Sequence, residues 1–112
     1  MSGEHRERGA RMEYITLTYV VEPEGEFQVS HCLELGTASF GTSKEEALEN
    51  LADATEVYLN ALKDLGVCRQ VLKEKAVRVF TYEPAELEVP RAKYAVGSTI
   101  QPTVVPLGTV CA

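Results

Sequence analysis

Hydrophobic and polar residues alternate along the first part of the chain. Residues 14–21 are rich in β-branched and aromatic side chains, which is typical of a strand with two distinct faces. Residues 23–26 contain a proline and a glycine and predict a turn, after which residues 27–31 alternate again. Residues 37–40 predict a brief third strand, which ends before Gly41. The pattern therefore predicts a meander of three antiparallel strands.

After Gly41 the spacing of apolar residues changes to that of a helix. Ser43 can cap the free amides of the first turn, and Glu46, three residues later, completes a capping box. Gly66 is well placed to end this helix in a left-handed conformation. The residues that follow the cap at three- and four-residue spacings, and so share one face, are Leu48, Leu51, Thr55, Tyr58, Leu62 and Leu65.

The remaining segments complete an α+β pattern. Residues 69–75 predict a short helix, and residues 77–82 predict a strand that stops before Pro84. The order β-β-β-α-β predicts a two-layer sandwich, in which one main helix packs on an antiparallel sheet. We expect three regions, namely a flexible leader (1–12), one domain (13–84) and an extended tail (85–112). The tail is rich in valine and proline, and its exchange between protomers is predicted.

One helix can cover only one face of such a sheet. The first strand would place Ile15, Leu17, Tyr19 and Val21 on one face and Tyr14, Thr16, Thr18 and Val20 on the other. Tyr14, Val20 and Phe80 or Tyr82 are then left as apolar material on the uncovered face. Self-association or a partner protein is expected to bury it.

The net charge of the chain limits which kinds of molecule are expected to bind it. The 112 residues carry 11 basic and 17 acidic side chains, a formal net charge of −6. Like charges repel, so nucleic acid and anionic membranes are not expected as partners and a basic partner is favoured. Only Lys44 is basic between residues 13 and 56. The acids of that stretch are Glu13, Glu22, Glu24, Glu26, Glu34, Glu45, Glu46, Glu49, Asp53 and Glu56.

No segment predicts export or membrane insertion. The first residues are polar and lack the apolar core of a signal peptide, and no apolar run reaches membrane-spanning length, so a cytoplasmic location is expected. The three cysteines are an odd number with no repeated spacing, which gives neither a disulfide framework nor a zinc pattern. Reduced thiols are therefore expected.

Residues 29–59 resemble the HicB-like antitoxin family. That family has a hairpin, a Cys-Pro-Glu-Leu-Gly type turn, a Gly-x-Thr/Ser helix start and a helix that opens with Glu-Ala-Leu and contains Asn-Leu. Leu33 stands where the family has its usual proline. The matching positions are Cys32, Glu34, Leu35, Gly36, Gly41, Ser43, Glu46, Ala47, Leu48, Asn50 and Leu51.

The resemblance implies a fold related to double-stranded RNA-binding domains, oligomerisation, and inhibition of a small basic RNA-cleaving toxin, HicA, by direct binding. Complete antitoxins of this family usually add a DNA-binding segment. No such segment is recognisable after Tyr82, so DNA binding is not expected. The hairpin acids Glu22, Glu24 and Glu26 are the candidate partner-facing residues, and a solvated turn is the alternative interpretation of them.

Candidate catalytic and ligand-binding patterns are weak. His31 and Cys32 could form a nucleophile–base pair, but neighbours on a regular strand point to opposite faces, so Cys32 is expected to be a small buried packing residue. Gly36 and Gly41 lack the lysine of a phosphate loop. We expect no catalytic site, no metal site and no cofactor. The alternative to the antitoxin role is a stand-alone homo-oligomeric structural or regulatory protein without a toxin partner.

Overall fold

Five strands and two helices form the described part of the chain, which is residues 12–87 and 97–108 of a computed structural model. The chain is an α+β fold in which a helix packs on an antiparallel sheet, as the sequence predicts. The predicted leader lies outside the described residues except for Met12. The elements are β1 (Glu13–Glu24), β2 (Phe27–Cys32), β3 (Ala38–Gly41), α1 (Lys44–Leu65), α2 (Cys68–Glu74), β4 (Val79–Phe80) and β5 (Thr99–Gly108).

Strand β1 is the centre of the sheet. Consecutive hairpins place β2 beside β1 and β3 beside β2, which confirms the predicted meander. β5 pairs with β1 along residues 13–21, while β4 pairs with it only at Tyr14 and Ile15. Because these pairings overlap in register, β5 occupies one edge of β1, and β2 and β4 share the other. The predicted strand over 77–82 is much shorter than expected, since β4 has only two residues.

Strand β5 lies within the predicted tail, so the predicted domain boundary at residue 84 leaves out a strand of the chain's own sheet. Pro102 and Pro106 are opposite Thr18 and Tyr14 in the register. The backbone N–H of Thr18 points to the other edge of β1, where it donates to Glu34 at 2.8 Å. Both prolines therefore face outward, where no N–H is needed for pairing with β1. Exchange of this segment between protomers stays a prediction.

The core lies between α1 and one face of the sheet. Ile15, Leu17 and Tyr19 point to α1 and are at most 4% exposed, which confirms the predicted division of β1 into faces. The buried residues of α1 are Ala47, Leu51, Thr55, Leu59 and Leu62. The prediction is wrong for Leu65, which is 73% exposed, and it missed Leu59. The buried positions are mostly four residues apart, more than the 3.6 of one turn, so the buried stripe winds around the helix and misses Leu65.

Side chains and a glycine cap both ends of α1. The Ser43 hydroxyl accepts the N–H of Glu46 at 3.1 Å, as predicted. The Glu46 carboxylate accepts the N–H and hydroxyl of Thr42 instead of closing the predicted box on Ser43. These hydrogen bonds lower the pKa of the Glu46 carboxyl. Gly66 adopts φ 74° and donates to the carbonyls of Leu62 and Lys63, as a left-handed helix end requires.

Gly41 allows β3 to contact the start of α1. A Cβ atom at this position would lie 2.7 Å from the backbone nitrogen of Ala47 and 2.9 Å from Cβ of Glu46. The Ala47 carbonyl in turn accepts a hydrogen bond from the buried Ser30 hydroxyl at 2.8 Å. Gly36, in the turn after β2, has φ 81°. Both glycines of the family-like motif therefore have structural reasons to be there.

Replacing Gly41 with alanine is expected to destabilise the fold by about 1–3 kcal/mol, because the added methyl group overlaps the backbone of α1. The measurement is urea unfolding followed by far-UV circular dichroism. Ser39→Ala on the same strand is the control and should change the unfolding free energy by less than about 0.5 kcal/mol. Equal stability of Gly41→Ala and the control would contradict the close contact.

Candidate functional site

The solvent face of α1 is acidic. Its exposed carboxylates are Glu45, Glu46, Glu49, Asp53, Glu56 and Asp64. Lys44 is the one exposed lysine of this helix, since Lys63 is half-buried and donates to the Leu107 carbonyl at 3.0 Å. Within the described residues the ion pair is between Arg69 and Glu13, and neither belongs to α1. The described part of the chain therefore supplies no ion-pair partner to the carboxylates of this helix.

The hairpin acids differ in their surroundings. Glu22 is half-buried and accepts a hydrogen bond from the Ser98 hydroxyl at 3.2 Å. Glu24 and Glu26 are exposed on either side of Gly25, whose φ of 61° makes the turn. The structure therefore places Glu22 in a contact within the chain and leaves the other two in solvent. Whether they face a partner stays a prediction.

An exposed aromatic pair lies on the sheet face opposite α1. Phe27 and Phe40 are 46% and 59% exposed, and their rings meet edge to face with centroids 5.7 Å apart. Glu24 is opposite Phe27 in the β1–β2 register, so the pair lies at the same end of the sheet as the turn. The sequence does not predict this pair. Phe40 belongs to a strand of four residues, which is too short for the alternation of apolar and polar residues to show which sheet face Phe40 occupies.

The aromatic pair also lies beside the start of α1. The side-chain amide of Asn50 donates to the Phe40 carbonyl at 2.8 Å, which fixes the first two turns of the helix next to β3. We call Glu24, Glu26, Phe27 and Phe40 the hairpin-end surface. It combines two exposed aromatic rings with two exposed carboxylates of the β1–β2 hairpin.

The far end of the same sheet face carries a second aromatic pair. The rings of Phe80 and Tyr82 are 5.6 Å apart, and the Arg78 guanidinium lies 5.0 Å from the Phe80 ring centre. Tyr82 is 63% exposed, whereas Val20 is fully buried. The expectation that this face leaves apolar material therefore holds for Tyr82 and is wrong for Val20.

Glu34 takes the place of a neighbouring strand where β2 turns away from β1. Its carboxylate accepts the N–H of Thr18 at 2.8 Å and the Thr18 hydroxyl at 2.9 Å. The Thr18 carbonyl accepts the N–H of Leu33 at 3.0 Å. Edge groups of β1 that β2 no longer reaches are thus satisfied by this turn. Glu34 is one of the positions at which the chain resembles the HicB-like family, but the resemblance does not explain why a carboxylate is needed there.

His31 and Cys32 do not form a reactive pair. Cys32 faces α1 and is 2% exposed, whereas His31 is on the opposite face of β2. Burial raises the pKa of the Cys32 thiol to about 11; the backbone of Leu35 offsets part of this increase by hydrogen bonding, and the charge of Glu34 adds to it. The thiol accordingly stays protonated near neutral pH, which suits the predicted packing role.

The described ranges contain neither a metal-ligand cluster nor a helix suited to cross a membrane. No group of three or more His, Cys, Asp and Glu side chains is arranged there to hold a metal ion. Neither helix of these ranges has the length and apolar content needed to cross a membrane.

Cys68 departs from the sequence-based expectation. It is disulfide-bonded, so the interpretation of all three cysteines as reduced thiols is wrong for this residue. The count and spacing of cysteines carry no information about one bridge, which depends on proximity in space. Disulfides are rare in the cytoplasm, and the expected cytoplasmic location stays a prediction.

Differential alkylation separates the two described cysteines. In the native chain, iodoacetamide at pH 8 should label Cys32 at least about a hundredfold more slowly than in urea, because its thiol is buried and the pKa is about 11 instead of 9.0. Cys68 should be labelled only after reduction. The measurement is peptide mapping by mass spectrometry, and rapid native labelling of Cys32 would contradict its burial.

No family model, no curated protein and no solved structure matches this chain.

Proposed function

We propose that the chain is a protein-binding module of the HicB-like antitoxin type, which binds a small basic protein through the hairpin-end surface. A HicA-like RNA-cleaving toxin is the partner that the family-like motif favours, and binding would neutralise it. The observation that carries the proposal is the exposed Phe27–Phe40 pair beside Glu24 and Glu26, for which the described residues supply no ion-pair partner. The relation of the fold to double-stranded RNA-binding domains belongs to the same proposal.

The composition of this surface supports protein binding. Aromatic rings at the centre of an interface contribute much of its binding energy, and exposed aromatic side chains are otherwise costly to leave in water. Glu24 and Glu26 on the hairpin would place negative charge at the rim of such a centre. Charge of one sign at the rim increases the rate of encounter with a partner of opposite charge.

The same charges argue against nucleic acid as the partner. Phosphate binding gains its energy from lysine and arginine side chains that release counterions. The exposed side chains of α1 carry six carboxylates and one ammonium group. The proposal therefore assigns RNA cleavage to the partner and inhibition to this chain.

Self-association through the far aromatic pair is the second candidate function. Tyr82 is 63% exposed, and Arg78 adds a positive charge beside Phe80. The sheet edges oppose pairing between copies, because the prolines of β5 face outward and Asn50 occupies the Phe40 carbonyl on β3. A homo-oligomer without a toxin partner would therefore assemble through this face of the sheet.

Charge reversal at the hairpin tests the proposal. The double variant Glu24→Lys/Glu26→Lys should weaken binding of the basic partner at least about tenfold, because attraction becomes repulsion at the rim of the interface. The partner is obtained by pull-down from the native host, then produced alone and shown to cleave RNA. Dissociation constants are measured by calorimetry, and RNA cleavage is measured with and without equimolar antitoxin candidate.

The matched control is Glu83→Lys/Glu86→Lys, which makes the same change in charge at two exposed positions on another part of the chain. It should alter the dissociation constant by less than about threefold. Recovery of the bait alone as a defined oligomer would reject the antitoxin role and favour self-association. Equal effects of the two double variants would show that the hairpin-end surface is not the interface.

A further inference from the structure

A cavity of about 330 Å³ lies between α1 and β5. Its volume is at the lower end of the range of sites for small molecules, about 300–1,000 Å³. Leu59 and Val105 form apolar walls from the two elements. Polar groups are concentrated at its two ends, and the ends differ in charge.

Lys63 places a positive charge at one end of the cavity. The residue is half-buried, and its ammonium group donates one hydrogen bond to the Leu107 carbonyl at 3.0 Å. An ammonium group has three donors, so two remain for other acceptors. No carboxylate of the described residues lies within 4.0 Å of Lys63, although partial burial of a charge is costly without a counterion. Asn60, which also lines the cavity, adds an amide on the same helix face.

The other end offers hydroxyl groups and a carboxylate. The Tyr19 hydroxyl and Thr55 line the cavity and hydrogen-bond to each other, and Thr55 lies 2.9 Å from the Thr37 hydroxyl. Burial raises the pKa of the Tyr19 hydroxyl, so it remains a neutral donor and acceptor. Glu56 is exposed at the rim. It precedes Lys63 by seven residues, which is about 10 Å along the helix axis.

We propose that this cavity binds a small carboxylic acid that carries a hydroxyl or ammonium group at its opposite end. The carboxylate of the ligand takes the two remaining donors of Lys63 and supplies its counterion. The apolar body packs between Leu59 and Val105. The far hydroxyl or ammonium group donates to the hydroxyls of Tyr19 and Thr55 or to Glu56. The inference does not depend on the antitoxin role, because none of these residues belongs to the hairpin-end surface.

Calorimetric titration of the full chain with para-hydroxyphenylacetate tests the site. This probe has a carboxylate, an aromatic body and a hydroxyl at its two ends, and it should bind saturably with a dissociation constant of about 1 mM or lower. Phenylacetate, which lacks the hydroxyl, should bind more weakly. Tyramine, in which an ammonium group replaces the carboxylate, should not bind. Absence of saturable binding of para-hydroxyphenylacetate, or tighter binding of tyramine, would overturn the proposal.

Variants locate the binding within the molecule. Lys63→Met keeps the length of the side chain and removes its charge, and it should weaken binding of the acid at least about tenfold. Lys73→Met, at an exposed lysine of α2, is the matched control and should leave the affinity unchanged. Equal affinities of the two variants would overturn the assignment to Lys63.

Circular dichroism shows whether Lys63→Met still folds. A second variant tests the site independently of that result. Ala52 lines the cavity and is exposed, so Ala52→Phe fills the space without removing a charge or a core residue. Binding should be lost in a chain that keeps its native spectrum and melting temperature. Unchanged binding in Ala52→Phe would place the probe elsewhere and reject the site.

Discussion

The pairing of β1 on both of its edges is the constraint on which the rest of this structure depends. β5 covers one edge of β1, and β2 and β4 divide the other edge between them. Glu34 fills the interval where neither strand reaches, by accepting the N–H and hydroxyl of Thr18. With β1 fixed in this way, Ile15, Leu17 and Tyr19 are held under α1, and that contact determines where the helix lies. The acidic face of α1 and the cavity beside β5 are both consequences of this placement.

Much of the fold follows from local pattern. Alternation over residues 14–21, the turn at Gly25 and the cap at Ser43 each depend on a few neighbouring residues, and each is found where the sequence predicts it. Leu65 and Leu59 show where local pattern ends, because the direction of the buried stripe along α1 depends on how the helix crosses a twisted sheet. β5 was not recognised as a strand since proline normally excludes central pairing, and its two prolines are accommodated because both face outward.

The candidate surfaces were less accessible to sequence reasoning. The acids of α1 are exposed, and their positions on the helix follow directly from the cap. The hairpin-end surface joins residues from the β1–β2 hairpin and from β3, and no spacing along the chain records that they lie at one end of the sheet. The cavity is even harder to predict from the sequence. Its charge and hydroxyl groups come from β1, α1 and β5, and the orientation of Lys63 depends on a carbonyl far along the chain. The disulfide bond of Cys68 is also not predictable from the spacing of cysteines, because it depends on distance in space.

The outward-facing prolines of β5 have a consequence for the behaviour of the chain at high concentration. Fibril growth requires an open strand edge on which identical segments can stack with continuous backbone hydrogen bonding. Pro102 and Pro106 remove two donors from such an edge. The other outer strands, β3 and β4, have only four and two residues, and a carbonyl of β3 already accepts a hydrogen bond from Asn50. The described sheet therefore offers no long open strand edge for cross-β growth, although aromatic rings are exposed on its face.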